Sequence, residues 1–299
     1  YNGGGVYNYY TGKFNFDGGT IIGNEASKNG GGVYNEQESP AFTMNGGTIK
    51  KNKAKNGGGV AVDDSATFTM NGGTIGDTNS DDGNTVTNEG GGVCVLSGSF
   101  NMNTGNIIGN TAVGSVTDEY RGWGGGVYVS TGTFTMSGGN ISDNISATGG
   151  GGVYNSGTFT MTDTAVISGN TVTNETCYGG GVFNYSSFTM NGGTNESDAN
   201  TAGFGGGLYH GDGKAQLNGG MIQGNIATTN GGGVFYSAEI TLNGVTITDN
   251  TANEDGGGAW MGYVDDAVMT VGGNTTITGN KDKDGKANNV DLRIGKSLT

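Results

Sequence analysis

Gly3-Gly4-Gly5-Val6-Tyr7 is the first copy of a motif that recurs through the chain: three glycines, a small aliphatic residue and, in most copies, an aromatic residue. Later copies begin at glycines 30, 57, 90, 124, 150, 179, 205, 231 and 256, so the chain has ten copies at spacings of 25 to 34 residues. Self-similarity at such a period is the sequence signature of a repeat architecture. A solenoid is one continuous body, so a length of 299 residues does not require several domains.

Each repeat contains three short segments with alternating residue character. The glycine motif is followed by Phe-Thr-Met-Asn-Gly-Gly, as at 42–47, and by Thr-Ile-x-Gly-Asn-x-Ala, as at 20–26. Short β-favouring runs bounded by Gly and Asn indicate strands, and no helical period of useful length is present. We therefore predict an all-β fold, a single-stranded right-handed parallel β-helix of about ten rungs with three short strands each. Residues 1–287 form this solenoid, and 288–299 form a terminal strand that leads to a cap or a following domain.

The alternation within each segment assigns its faces. Val of the first segment, Phe and Met of the second and Ile of the third are expected to point into the coil. An asparagine at one corner tolerates left-handed backbone geometry, and stacked amides can bond along the ladder. These corner residues are Asn24, Asn52, Asn110, Asn144, Asn170, Asn225, Asn250 and Asn280.

Composition narrows the classes of partner and compartment. The net charge of −14 argues against a nucleic-acid groove or an anionic membrane surface. Cys94 and Cys177 are too few for a disulfide framework. No apolar run is long enough to span a membrane. The sequence begins inside a repeat without Met or a signal peptide, so we expect a processed piece of a longer exported protein.

The alternation of Gly-Gly-Gly-Val-Tyr-Asn with Phe-Thr-Met-x-Gly-Gly-Thr-Ile-x-x-Asn-x-Ala resembles the repeats of large exported β-helix proteins of bacteria. It is similar, more loosely, to the Gly-Gly-Ala-Ile repeats of polymorphic outer-membrane proteins and autotransporter passengers, which carry Ala where this chain has its third Gly. The resemblance covers nearly the whole chain. It implies cell-surface display, adhesion or extracellular scaffolding, and it implies no catalytic residues.

Two insertions interrupt the period, at 79–89 and 113–123. Because they belong to neighbouring rungs, we expect them to lie side by side on one edge, where repeat proteins often bind partners. Alternatively, they are tolerated surface loops. A Ca²⁺ ion could be held by their carboxylates, although no ligand motif supports it and no cofactor is predicted. The candidate ligand-binding residues are Asp81, Asp82, Glu89, Asp118, Glu119, Tyr120, Arg121 and Trp123.

The aromatic residues beside the inward valines form a second candidate. If the valines point inward, these rings point outward and stack at the strand spacing. Such a ladder could hold glycan rings or an apolar edge of a partner, but a self-stacking rib that stiffens the rod is favoured. With the faces reversed, the rings are core. The ladder comprises Tyr7, Tyr34, Tyr128, Tyr154, Phe183, Tyr209, Phe235 and Trp260, and is interrupted by Ala61 and Cys94.

No catalytic constellation is recognisable in the sequence. The single histidine, His210, has only Asp212 nearby in a glycine-rich turn, and no metal site is predicted. We predict a non-enzymatic extracellular rod, a surface adhesin or structural spacer that binds a surface glycan or protein through loops 79–89 and 113–123. The alternatives are a subunit of a self-assembling filament, which would bind copies of itself, and a polysaccharide-binding or polysaccharide-degrading enzyme. Nucleic acid and membrane insertion are excluded as partners of this segment.

Overall fold

The computed structural model describes residues 1–37, 41–114, 122–195, 198–262, 264 and 266–292. They form a parallel β-solenoid of about ten rungs, in which each rung contributes strands to three parallel sheets. Within the described residues there is no α-helix, and one short 3-10 helix covers Ser80–Asp82. The predicted all-β parallel β-helix is confirmed.

Three sheets extend along the solenoid. Sheet 1 has eleven strands: Val6–Tyr9, Val33–Glu36, Val60–Val62, Val93–Val95, Val127–Val129, Val153–Asn155, Val182–Asn184, Leu208–His210, Val234–Tyr236, Ala259–Met261 and Val290–Asp291. Sheet 2 has eighteen: Lys13–Phe16, Thr20–Ile22, Ala41–Met44, Thr48–Lys50, Thr67–Met70, Thr74–Gly76, Ser99–Met102, Asn106–Ile108, Thr133–Met136, Asn140–Ser142, Thr158–Met161, Val166–Ser168, Ser187–Asn195, Lys214–Gln223, Glu239–Asn243, Thr246–Thr248, Met269–Gly272 and Thr276–Thr278. Sheet 3 has nine: Lys53–Asn56, Thr85–Glu89, Thr111–Ala112, Ile145–Ser146, Thr171–Val172, Thr201–Ala202, Ile226–Ala227, Thr251–Ala252 and Lys281–Asp282.

The rungs pair in the register that the repeat predicts. Val33 lies opposite Val60, and Phe68 lies opposite Phe100. The valine, phenylalanine, methionine and isoleucine columns fill the inside of the coil and are buried along most of its length. From Phe14 to Phe188 the phenylalanine rings of adjacent rungs stack with centroids 4.5 to 5.0 Å apart. The predicted core columns are therefore confirmed.

The glycine motif is required because neighbouring backbones approach closely. Gly57 has φ of +63°, a left-handed conformation that side chains disfavour. A Cβ atom on Gly58 would lie 2.6 Å from the carbonyl oxygen of Gly91, and one on Gly59 would lie 2.7 Å from that of Gly92. One glycine is thus needed for its backbone angle and the next two for stacking between rungs.

A continuous ladder of asparagines, buried everywhere except at its two ends, follows the corner between sheets 2 and 3. In each rung the side-chain amide donates to the side-chain oxygen of the next asparagine, as from Asn110 to Asn144 at 3.0 Å. The predicted hydrogen bonding along the ladder is confirmed. Its members are Asn24, Asn52, Asn84, Asn110, Asn144, Asn170, Asn200, Asn225, Asn250, Asn280 and Asn289.

Three ladder members were not predicted from the sequence: Asn289, which follows the last copy of the three-segment repeat, and two that extra residues displace from the motif. Asn84 follows an insertion, and Asn200 follows a rung in which Asn195 takes the place of the inward isoleucine. The buried Asn195 donates to the Gly207 carbonyl at 3.0 Å and accepts from the Asn200 amide at 2.7 Å. The side-chain amide of Asn195 is thus hydrogen-bonded inside the core, with Asn200 of the ladder as one of its partners.

Candidate functional site

The first insertion departs from the corner between sheets 2 and 3. Asn84 accepts a hydrogen bond from the backbone of Asn52 at 3.1 Å and so occupies the usual corner position. The extra residues therefore precede it, at 77–83. Lys50 pairs with Asp77 at 2.6 Å, and Lys51 pairs with Asp82 at 2.8 Å, which fastens the insertion to the preceding rung. The hydrogen bond from Lys50 lowers the pKa of Asp77.

The second insertion departs from a different corner, between sheets 3 and 1. It follows Thr111–Ala112 and ends at Trp123, which forms a parallel bridge with Glu89. Asp81 and Asp82 lie before the strand Thr85–Glu89, at its other end. The structure thus brings Glu89 next to Trp123 and separates both from the two aspartates.

The remaining predicted residues of this cluster, Asp118, Glu119, Tyr120 and Arg121, lie outside the described residues. Asp81 instead lines a shallow polar cleft over the first rungs, together with Glu25, Lys51 and Lys53. Within the described part of the chain, no group of three or more His, Cys, Asp or Glu side chains could hold a metal ion. Ligand binding by the two insertions stays a prediction.

The aromatic ladder lies outside the main core but is mostly covered. Three of its rings, Tyr34, Tyr128 and Tyr154, belong to a separate hydrophobic cluster and are 2%, 8% and 6% exposed. Phe235 and Trp260 are buried as well. These five rings therefore offer little open surface, and equally they are not part of the coil's interior. The ladder is a second core on the outer side of sheet 1.

The covering groups come from the residue directly before the glycine motif. Trp123 stacks on Tyr154 with centroids 4.9 Å apart and planes 8° apart. Phe204 packs edge-on against Phe235 at 5.5 Å. An aromatic residue directly before three glycines was the available signal for this cover.

The first two tyrosines of the ladder donate their hydroxyls to carboxylates. Tyr7, half exposed, donates to Glu36 at 2.9 Å, and Tyr34 donates to Asp63 at 3.1 Å. Burial and the bonded carboxylate raise the pKa of Tyr7 to about 12, and burial raises the pKa of Tyr34 further. These tyrosines stay protonated donors at any physiological pH.

His210 has a structural environment. It occupies the position that Asn184 holds one rung earlier and is fully buried. Asn184 Nδ2 lies 3.0 Å from His210 Nδ1, and His210 Nε2 lies 2.9 Å from the Glu239 carbonyl oxygen. Because a carbonyl only accepts, Nε2 carries the proton and Nδ1 accepts from the amide. Burial lowers the pKa of His210, so the ring is held neutral.

Both cysteines are free thiols, with Cys94 buried in the second core and Cys177 partly exposed. Among the described residues, no helix has the length and hydropathy needed to cross a membrane.

Comparison of the chain with models of known protein families, with curated proteins and with solved structures finds no match. The structure supports the fold that the resemblance to exported bacterial β-helix repeats implies, a parallel solenoid of about ten rungs. No relative identifies the chain as an adhesin or an autotransporter passenger.

Proposed function

We propose that this chain is a non-enzymatic extracellular rod that acts as a structural spacer or adhesin at a cell surface. The observation that carries the proposal is the unbroken asparagine ladder from Asn24 to Asn289, which ties every rung to the next. Three parallel sheets and a stacked phenylalanine column add contacts between the same rungs. A body whose elements each bind only their neighbours, in one register, holds its two ends apart at a fixed distance.

The geometry gives the spacer a length. Adjacent parallel strands lie roughly 4.8 Å apart, so about ten rungs make a rod on the order of 50 Å long. Each buried amide bond adds about 0.5–1.5 kcal/mol to the contact between two rungs. Length then scales with the number of repeats, which is the property that a surface spacer needs.

The experiment is to remove one rung without disturbing the register. Deleting residues 127–152 joins Gly126 to Val153, and Val153 already pairs with Val127. Spin labels at Thr11→Cys and Asp284→Cys, in a Cys177→Ser background, report the distance between the ends. We expect a narrow distribution that shortens by about one strand spacing, ~4.8 Å. Deletion of 127–139 is the control, because it removes half a rung and should prevent folding.

A broad distribution, or one unchanged by the full-rung deletion, would contradict the spacer. Polymers much longer than one rod in electron micrographs would favour the filament subunit instead. Turnover of a polysaccharide would favour the enzyme. The extracellular location is tested separately with an antibody on intact source cells, and staining that requires permeabilisation would contradict it.

A further inference from the structure

The aromatic ladder loses its regular stacking around Phe183. Tyr128 and Tyr154 stack with their planes 19° apart. Between Tyr154 and Phe183 the angle is 67°, and between Phe183 and Tyr209 it is 55°. Stacking resumes between Tyr209 and Phe235, at 21°. Phe183 is therefore turned out of the ladder.

Two further rings gather around the break. Tyr178 lies 4.6 Å from Tyr209 and 6.0 Å from Phe183, and Tyr185 lies 6.3 Å from Phe183. Tyr178 is 37% exposed and Tyr185 is 52% exposed, while Phe183 and Tyr209 are half-buried. We call these four rings the aromatic platform.

Gly211 leaves the space between two platform rings open. A Cβ atom at this position would lie 2.9 Å from the Tyr209 ring and 3.2 Å from the Tyr185 ring. A side chain would therefore push the two rings apart or cover them. Ser156 holds the equivalent position on the other side of Tyr185, so both neighbours of this ring are small.

The tilt decides what the rings can bind. Rings stacked face to face cover each other's faces and leave only edges for solvent, which is the situation in the covered ladder. An aromatic face is electron-rich and attracts polarised C–H groups, whereas an edge does not. Phe183 is tilted by 55° to 67° from Tyr154, Tyr185 and Tyr209, and Tyr178 is tilted by 41° from Tyr209, so ring faces become available at this place.

We propose that the aromatic platform binds a neutral glycan built of pyranose rings, laid along the rod axis. A pyranose has a C–H face that packs on an aromatic face and a rim of hydroxyls. The Tyr178 and Tyr185 hydroxyls form no hydrogen bond within the described part of the chain and remain for that rim, unlike the carboxylate-bound hydroxyl of Tyr7. Successive ring centroids such as Phe183 and Tyr209 lie 4.8 Å apart, close to the length of one sugar unit.

An apolar peptide and a second copy of the chain are the competing occupants. The platform presents the hydroxyls of Tyr178 and Tyr185, which form no hydrogen bond within the described residues, beside aromatic rather than aliphatic side chains. This combination suits a ligand that is both apolar and rich in hydroxyls. The inference adds a ligand to the extracellular rod proposed above, but the end-to-end distances do not depend on it. Loss of glycan binding with unchanged distances would reject the platform alone.

The test uses neutral hexasaccharides of glucose, xylose and mannose, with hexagalacturonate as the charged probe, and measures binding by saturation-transfer NMR and calorimetry. We expect the wild type to bind at least one neutral probe and Tyr178→Ala/Tyr185→Ala to bind it at least tenfold more weakly. Tyr178→Phe/Tyr185→Phe keeps the faces and should retain most of the affinity. Tyr9→Ala, which removes a similarly exposed tyrosine from the first rung, should bind like the wild type.

Several outcomes would overturn the proposal: no saturable binding of any neutral probe at millimolar concentration, equal binding by the double alanine variant, or binding of the galacturonate alone. Sedimentation velocity tests whether a second copy of the chain occupies the platform. A wild-type dimer that the double alanine substitution dissociates would assign the platform to self-association instead. Matching melting temperatures show that each variant is folded.

Discussion

The side-chain amide of Asn144 donates to Oδ1 of Asn170 in the next rung at 3.0 Å and to the carbonyl of Ile107 in the preceding rung at 2.9 Å. The backbone N–H of Asn144 donates to the same Oδ1 atom at 3.0 Å. Its own oxygen accepts two bonds from Asn110. One residue thus links three successive rungs, with all of its side-chain hydrogen-bonding groups in use.

Replacing Asn144 with alanine should destabilise the rod strongly. The substitution removes the acceptor for the backbone and side-chain N–H groups of Asn110, which are buried. A buried donor without a partner costs about 1–3 kcal/mol, so we expect a loss of about 2–4 kcal/mol in the free energy of unfolding. Urea denaturation followed by circular dichroism measures it.

The matched control for that substitution is Asn103→Ala. Asn103 also donates to an asparagine one rung away, Asn71, at 2.8 Å, but this second ladder is exposed. Water replaces the lost partner there, so the change should be within about 0.5 kcal/mol. Equal losses in the two variants would show that the buried ladder does not tie the rungs together.

Gly58→Ala tests the close approach of the glycine motif. The added methyl group would meet the Gly91 carbonyl oxygen at 2.6 Å, and this oxygen belongs to backbone that cannot move aside. We expect a loss of at least ~2 kcal/mol, in the range of overpacked cores. Gly18→Ala is the control, since nothing lies within 4 Å of its added Cβ. A Gly58 variant as stable as the Gly18 variant would contradict close stacking as the reason for the motif.

The fold was predictable because period and alternation are local properties of the sequence. The inward columns and most of the corner asparagines followed directly from them. Asn84 and Asn200 could not be predicted in this way, because inserted residues shift them along the chain. The pairing of the rungs nevertheless brings both to the corner position of the ladder. The corner at which an insertion leaves the rod is likewise set by pairing, which is why Asp81 was grouped with Trp123.

The state of the aromatic ladder depended on a second layer that alternation cannot assign. A residue pointing out of the coil is exposed only if no other side chain lies over it. Trp123 covers Tyr154, so an outward ring became core. The aromatic platform was not predicted for the same reason, because alternation gives neither the tilt of Phe183 nor the positions of Tyr178 and Tyr185 beside it.

His210 should make stability depend on pH. Burial lowers its pKa in the folded state, whereas in the unfolded chain it is about 6.5. The unfolded state therefore binds more protons below that value. Stability from this residue is complete above pH ~6.5 and is lost as pH falls toward the folded pKa.

His210→Asn provides the measurement, because it restores the residue that Asn184 presents one rung earlier. We expect the wild type to lose stability relative to this variant between pH ~7 and ~5, with a constant difference above pH ~7.5. Thermal or urea unfolding across this range gives the two curves. Parallel curves would mean that His210 titrates alike in the folded and unfolded states, which would contradict a buried, neutral imidazole.

The two thiols should differ in reactivity because one belongs to the second core. Cys94 lies between Ala61 and Tyr128 in the ladder, is fully buried and has a pKa well above its usual value because of burial. Cys177 is partly exposed, and burial raises its pKa less severely. Thiolate is the reactive form, so Ellman's reagent should label one thiol per folded chain, faster as pH rises from 7 to 9, and two in denaturant. Cys177→Ser should then show no labelling while folded, and rapid labelling of that variant would mean that the aromatic ladder around Cys94 is open to solvent.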